Sequence, residues 1–358
     1  MDKKAYKKWF IKFISLSLCL LLVMGATVFA YDPYCYYRIP KDRVIVNNYR
    51  FVNPGIVRNA EYDTVVMGSS MIQNFNMQSF RDKLGLEPIK LSVGGMSIEG
   101  MDLTYSQVCE VGKAKNLFVA IDLPSLNKEE DSLATYSTYL YNDTVTDDYK
   151  YLLGYETWTR LLPLNIGFNL LSKFRKVPAS YVTEDIDHIG EWYQTAKFSK
   201  EKLKKAYLEN TDQISKQDTE NIDERMKRRA DMLLDILLQD KDTEVTVFFS
   251  PYSALFWYQA QTDGYYESYM RTKEYVISKL LDKKNVKIYD FQQMPEMTDL
   301  DNYKDTTHYS EKINEKMVDC FVSEKYAIRS QADAQKADEN INALMQQFIA
   351  ANSDWLKK

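Results

Sequence analysis

The sequence predicts an α/β fold: a three-layer sandwich with a central parallel sheet, a helical insertion and an N-terminal transmembrane helix. Three observations predict it. Short β-branched apolar runs, of the type buried on both faces of a sheet, alternate with helix-length stretches as in βαβ units. The middle of the chain, from Asn127 to Glu220, lacks this rhythm. An uncharged run from Phe13 to Ala30 follows a cluster of lysines.

The run "FISLSLCLLLVMGATVFA" meets the minimum span of a bilayer helix, about 18 residues. Lys3, Lys4, Lys7, Lys8 and Lys12 on its N-terminal side predict a cytoplasmic N-terminus, which places the remaining chain outside. A cleaved signal peptide is the competing reading, with Val28-Phe29-Ala30 as its cleavage site. The length of the run favours an uncleaved anchor. Residues 31–60 then form a collar, "YDPYCYYRIPKDR", whose tyrosines suit the headgroup level, and a linker through Asn53-Pro54-Gly55.

The sheet domain is expected over residues 61–328. Its strands are Thr64 to Met67, Ile89 to Val93, Asn116 to Ile121, Val245 to Phe249 and Val286 to Tyr289. Helices are expected at about Asn76 to Leu84, Ile98 to Val111, Ile222 to Leu238, Gly264 to Leu281 and Glu311 to Val322, the last capped by Ser310. The insertion, about residues 127–220, contains two helical pieces, Trp158 to Phe174 and Lys200 to Leu208. Residues 329–358 form a polar amphipathic helix with Ile341, Leu344, Met345, Phe348 and Ile349 on one face, read as packing on the main domain, with a partner-binding helix as the alternative.

A net charge of -5, with Lys and Arg spread through the chain, argues against a nucleic-acid partner. Cys19, Cys35, Cys109 and Cys320 have no metal-type spacing and require no disulfide. No cofactor or metal is expected. His188, near Asp185 and Asp187, lacks a third spaced ligand and reads as a residue of the insertion. Only His188 and His308 can supply an imidazole base.

Serine catalysis needs a hydroxyl on a tight turn, a base, a carboxylate to orient the base, and donors for the oxyanion. In "VVMGSSM", Gly68 ends a strand and Ser69 and Ser70 open the next turn. The carboxyl ends of strands are where open α/β sheets bind ligands. In "DNYKDTTHYS", the spacing of Asp305 and His308 lets the carboxylate reach the imidazole. In "LSVGGMS", Gly95, with Gly94 beside it, allows close backbone approach and offers an N–H group.

The order of these blocks resembles that of the SGNH (GDSL-like) hydrolases, whose sheet is flavodoxin-like. The resemblance covers about residues 60 to 325. It implies Ser70 as nucleophile, with Ser69 as a minor alternative. It also implies Asp305 and His308 as the general-base pair, and the N–H groups of Gly95 and Ser70 as oxyanion donors. One departure stands out: the family's third block carries an Asn donor, whereas this strand ends "AIDLPSLN". Ser125 or Asn127 is the candidate replacement.

With its anchor and collar, the chain further resembles the membrane-anchored SGNH-like proteins encoded beside membrane-bound O-acyltransferases. These include the DltD-type D-alanyl transfer proteins of teichoic acid synthesis and the alginate-acetylation proteins. The resemblance implies extracellular acyl transfer to a cell-surface polysaccharide or teichoic acid, with a membrane-bound O-acyltransferase as partner. A glycan O-acetyl esterase and a non-catalytic scaffold for such an acyltransferase are the alternatives.

Overall fold

The computed structural model describes residues 3–178, 181–209 and 220–356. Residues 179–180 and 210–219 of the expected insertion, and the last two residues of the expected tail, lie outside the described residues. The helices are α1 (Lys3–Tyr31), α2 (Tyr49–Asn59), α3 (Met77–Leu84), α4 (Ile98–Val111), α5 (Asp148–Leu152), α6 (Leu162–Ser172), α7 (Lys200–Leu208), α8 (Ile222–Leu237), α9 (Ala254–Thr262), α10 (Tyr266–Leu280), α11 (Glu311–Ser323) and α12 (Gln331–Ala351). The strands are β1 (Ile45–Val46), β2 (Thr64–Gly68), β3 (Pro88–Ser92), β4 (Asn116–Ile121), β5 (Val182–Thr183), β6 (Glu244–Phe249) and β7 (Val286–Asp290). The chain divides into two compact units: Met1–Ala60 with Thr135–Asp185, and Glu61–Ala134 with Ile186–Lys358. The stretch read from sequence as one insertion is therefore shared between them.

In the larger unit, five parallel strands pair in the order β3-β2-β4-β6-β7. All five residues of β2 are buried. Because successive side chains of a strand point to opposite faces, both faces of the sheet are covered. The covering helices form two groups: α3 packs on α11, and α4 packs on α8, which packs on α10. The strand order reverses between β2 and β4, and ligands of open α/β sheets bind at the carboxyl ends beside such a switch point.

The stretch expected as a helix from Gly264 is α10, preceded by a separate helix, α9. The tail helix α12 packs on α9 and α10 and buries Ile341, Met345 and Phe348. Ser310 stands at the N-cap of α11, but its hydroxyl makes no capping bond. All four cysteines are free thiols.

In the smaller unit, α1 has 29 residues and is long and apolar enough to cross a membrane. The collar that follows folds inward around Asp32. Its carboxylate accepts the backbone N–H groups of Tyr36, Tyr37 and Arg38 at 2.8–2.9 Å and the hydroxyl of Tyr151 at 2.9 Å. The hydroxyls of Tyr36 and Tyr37 donate to Asp148 at 3.0 and 3.1 Å. Tyr34 and Tyr36, expected outward at the headgroup level, are thus buried in the protein.

The expected linker through Asn53-Pro54-Gly55 is instead the middle of α2. Gly55 makes this packing feasible, because a Cβ there would stand 2.2 Å from the Cys35 carbonyl oxygen. β1 and β5 form a two-stranded antiparallel pair.

Candidate active site

The site is built at the carboxyl ends of β2 and β4 and on the loop after β7. Gly68 ends β2 where a side chain would crowd the turn. A Cβ there would lie 3.1 Å from both Ala120 Cβ and Ile72 Cγ2. The chain then turns into a short 3₁₀ helix, Ser70–Ile72, with Ser69 as N-cap accepting from the Met71 N–H.

Ser70 Oγ lies 2.7 Å from His308 Nε2. His308 Nδ1 lies 2.9 Å from both oxygens of Asp305. The Asp-x-x-His spacing works through a tight turn: Asp305 Oδ1 also accepts the backbone N–H groups of Thr307 at 3.1 Å and His308 at 2.9 Å. Burial raises the Asp305 pKa. The bonds and charge of His308, with the backbone N–H groups, outweigh it and hold the carboxyl well below its usual range. Asp305 is therefore a carboxylate, and His308 keeps its Nδ1 proton on the Asp305 side, freeing Nε2 to accept from Ser70.

The loop carrying this pair is pinned from several elements. Lys304 N donates to the His308 carbonyl at 2.9 Å, and Tyr303 bridges Tyr309. Tyr303 Oη donates to Pro251 O at 2.8 Å. Ser253 donates to Thr306 O through its N–H at 3.0 Å and its hydroxyl at 2.7 Å. Tyr309 Oη donates to Met71 O at 3.0 Å, tying the histidine loop to the serine turn.

Of the residues expected at the site, the structure brings together Ser70, Asp305 and His308. Ser69 is elsewhere: its buried hydroxyl donates to Asp122. Gly94 and Gly95 form the turn after β3, where Met96 N donates to Val93 O at 2.9 Å and Gly95 has φ 64°. Val93 N donates to Gly68 O at 3.2 Å, so this turn leaves the sheet beside Ser69 and Ser70. The Ser125 hydroxyl caps its own turn by donating to Asp122 O at 2.6 Å. The Asn127 side-chain oxygen accepts from Arg225 at 2.8 and 3.0 Å. The Ser125 hydroxyl is thus engaged within its own turn, and the Asn127 oxygen with Arg225. His188 Nδ1 bonds Glu191 at 3.0 Å, and Asp187 pairs with Arg81 at 2.5 Å.

Several residues at the site went unread in the sequence. Asp122 accepts from Ser69 and, at 2.5 Å, from Tyr252. Burial and the Asp122 charge push the Tyr252 hydroxyl far above its usual range, so it remains a donor. Lys128 brings its ammonium close to the Gly95 turn, where an added Cβ would stand 4.0 Å from it. Trp192 meets the His308 ring edge-on, with centroids 5.4 Å apart, and carries the Lys304 ammonium 4.8 Å from its own centroid.

Trp192 is held by the loop after Ser70: Asn74 Oδ1 accepts the N–H groups of Trp192 and Tyr193 at 3.1 and 3.3 Å. That loop is in turn held by Lys90, buried in β3. Its ammonium donates to Gln73 O at 2.7 Å and Phe75 O at 3.1 Å and lies 3.5 Å from Glu191. Burial pushes the Lys90 pKa down to about 8, with Glu191 opposing. The one signal for Lys90 in the sequence is a charge inside the apolar strand "PIKLS".

A hydroxyl, imidazole and carboxylate in this chain of contacts can move a proton from the hydroxyl to the imidazole as the oxygen attacks an electrophilic carbon. Comparison of the sequence with protein-family models and with curated proteins returned no match.

Proposed function

We propose that this chain is a serine acyl-transfer enzyme of the SGNH type, held by α1 with its catalytic domain outside the cell membrane. It acts in the O-acylation, by acetyl or D-alanyl groups, of a cell-surface polysaccharide or teichoic acid. A membrane-bound O-acyltransferase supplies the acyl group. The observation that carries this reading is the continuous contact from Ser70 Oγ through His308 to Asp305, at 2.7 and 2.9 Å. The five-stranded parallel order and the lysines in the N-terminal part of α1 support it.

Ser70 Oγ attacks the acyl carbonyl while His308 Nε2 takes its proton, and Asp305 stabilises the resulting imidazolium. The Ser70 and Gly95 N–H groups receive the oxyanion, with the Lys128 ammonium beside them in place of the family's Asn. Collapse breaks the bond to the leaving group, which takes the proton from His308. The acceptor hydroxyl then attacks the acyl-Ser70 carbonyl, giving its proton to His308. Collapse releases the acylated acceptor and returns that proton to Ser70. The sequence of steps needs no cofactor.

A second reading, a glycan O-acetyl esterase, is favoured by the exposure of His308, whose side chain is 25% accessible to solvent. Water reaching it deacylates Ser70 by the same steps. The test is the fate of an acetyl group from p-nitrophenyl acetate, with the full chain in detergent and added polyols or glycans. Transfer to the acceptor, absent in Ser70→Ala, supports the first reading. Release as acetate alone, also absent in Ser70→Ala, supports the second. Turnover unchanged in Ser70→Ala contradicts both.

A further inference from the structure

Helix α6 carries apolar residues on both of its faces. The inward face mixes them with amides: Leu162 and Asn165 are buried, Phe168 and Leu171 pack against Val44, Val177 and Val182, and Asn169 exchanges hydrogen bonds with the backbone of Val44, accepting from N at 2.8 Å and donating to O at 3.1 Å. A second apolar set faces outward. Ile166, Leu170 and Phe174 recur every fourth residue, one stripe running off the end of the helix, and are 38%, 54% and 85% exposed. Lys173, Arg175 and Lys176, all exposed, surround the end of that stripe. An outward apolar stripe flanked by cations is the signature of a helix lying in a lipid interface.

The surroundings of α6 point to the same occupant. The anchor α1 packs on α5 within the same unit. A Cβ added at Gly25 would stand 3.8 Å from both Leu152 and Leu153. Gly25 lies six residues before the end of α1, about 9 Å along its axis. The α5 segment therefore reaches alongside the apolar part of α1. Only a short stretch, ending in the single turn Thr157–Leu161, separates α5 from α6.

We propose that α6 is a second membrane contact: it lies in the interface of the bilayer that α1 spans, its apolar stripe against acyl chains and its basic end against anionic headgroups. The proposal rests on the reading of α1 as a membrane anchor. Such a contact fixes the smaller unit on the membrane surface instead of leaving it to swing on one helix.

The test uses the full chain in vesicles containing phosphatidylglycerol. The accessible thiols are removed by Cys19→Ser and Cys109→Ser. An environment-sensitive dye is attached at Leu170→Cys, Phe174→Cys, the exposed control Asp143→Cys, or Leu20→Cys in the anchor. Loss of fluorescence to brominated acyl chains at 170 and 174, as at 20, with iodide quenching only at 143, is expected. Bromolipid quenching at 20 but iodide quenching at 170 and 174 overturns the α6 contact and leaves the anchor standing. Protection of 170 and 174 from both quenchers indicates a protein partner or second copy and overturns it too. Absence of bromolipid quenching at 20 removes the anchor reading and this inference with it. As a second variant, reversing the charges of Lys173, Arg175 and Lys176 to Glu should weaken bromolipid quenching at 174; unchanged quenching overturns the headgroup role.

Discussion

The Ser69 hydroxyl donates to the Asp122 carboxylate across the point where the strand order of the sheet reverses. This bond links the end of β2 to the end of β4 and settles which of two adjacent serines faces His308. With Ser69 turned to Asp122, Ser70 alone reaches the imidazole. Ser69→Ala should therefore keep the reactivity of Ser70 toward a fluorophosphonate. It should cost about 1 kcal/mol of stability, because half-buried Asp122 loses one of its donors. Urea unfolding of the two chains, beside their labelling rates, checks both halves.

Asp305 gives a prediction with a definite pH sign. Its folded-state pKa is depressed, so its contribution to stability is fully present above the unfolded carboxylate value, about 3.9. That contribution is lost as the pH falls through the folded value. Asp305→Asn should remove this acid-side loss, seen as a flatter fall of unfolding free energy with falling pH. The same variant should lower the labelling rate at neutral pH by about 10³-fold or more, because the amide no longer holds the productive tautomer of His308. An unchanged rate would assign Asp305 a structural role only.

Much of this was legible in the sequence, for physical reasons that also explain what was not. Strands β2, β4 and β6 are buried on both faces beyond their first residues and so read as apolar runs. Ser70, Asp305 and His308 were legible because each stands at a strand end or in a short spacing that local geometry governs. Helix α9 escaped because Ala254, Leu255, Phe256 and Trp257 are all buried, leaving no polar face to give a helical period. Helix α2 escaped because Pro54 and Gly55 read as a breaker, whereas the collar needs Gly55 for close approach. Trp192 comes to His308 from a distant segment, and nothing local announces it.

Lys90 should make stability rise with alkaline pH. Its pKa is pushed down to about 8, so the folded chain releases a proton that the unfolded chain keeps up to its ordinary value of about 10.4. Between these values the unfolded state binds more protons, and unfolding becomes harder as the pH rises. Lys90→Met should flatten this rise. Because Gln73 and Phe75 lose their donor, it should also slow the labelling of Ser70. Urea titrations at a series of pH values on both chains check the sign.

Trp192 and Lys128 separate positioning from chemistry. Trp192→Ala removes an edge-to-face contact worth about 0.5–1.5 kcal/mol, so acylation should slow by roughly 2- to 12-fold, with Trp192→Phe recovering much of it. Lys128→Ala should lower kcat for a small ester by about tenfold, with KM little changed, if its ammonium serves the oxyanion. A rise in KM alone would instead assign Lys128 to substrate binding.

Every step proposed for the site requires an activated Ser70. Activation is read by intact mass after exposure of the full chain in detergent to a fluorophosphonate, for wild type, Ser69→Ala, Ser70→Ala and His308→Ala. One adduct on wild type and Ser69→Ala, none on Ser70→Ala and a much slower reaction of His308→Ala is the expected result. A folded wild-type chain that takes no adduct, or a Ser70→Ala chain that still takes one, would contradict it.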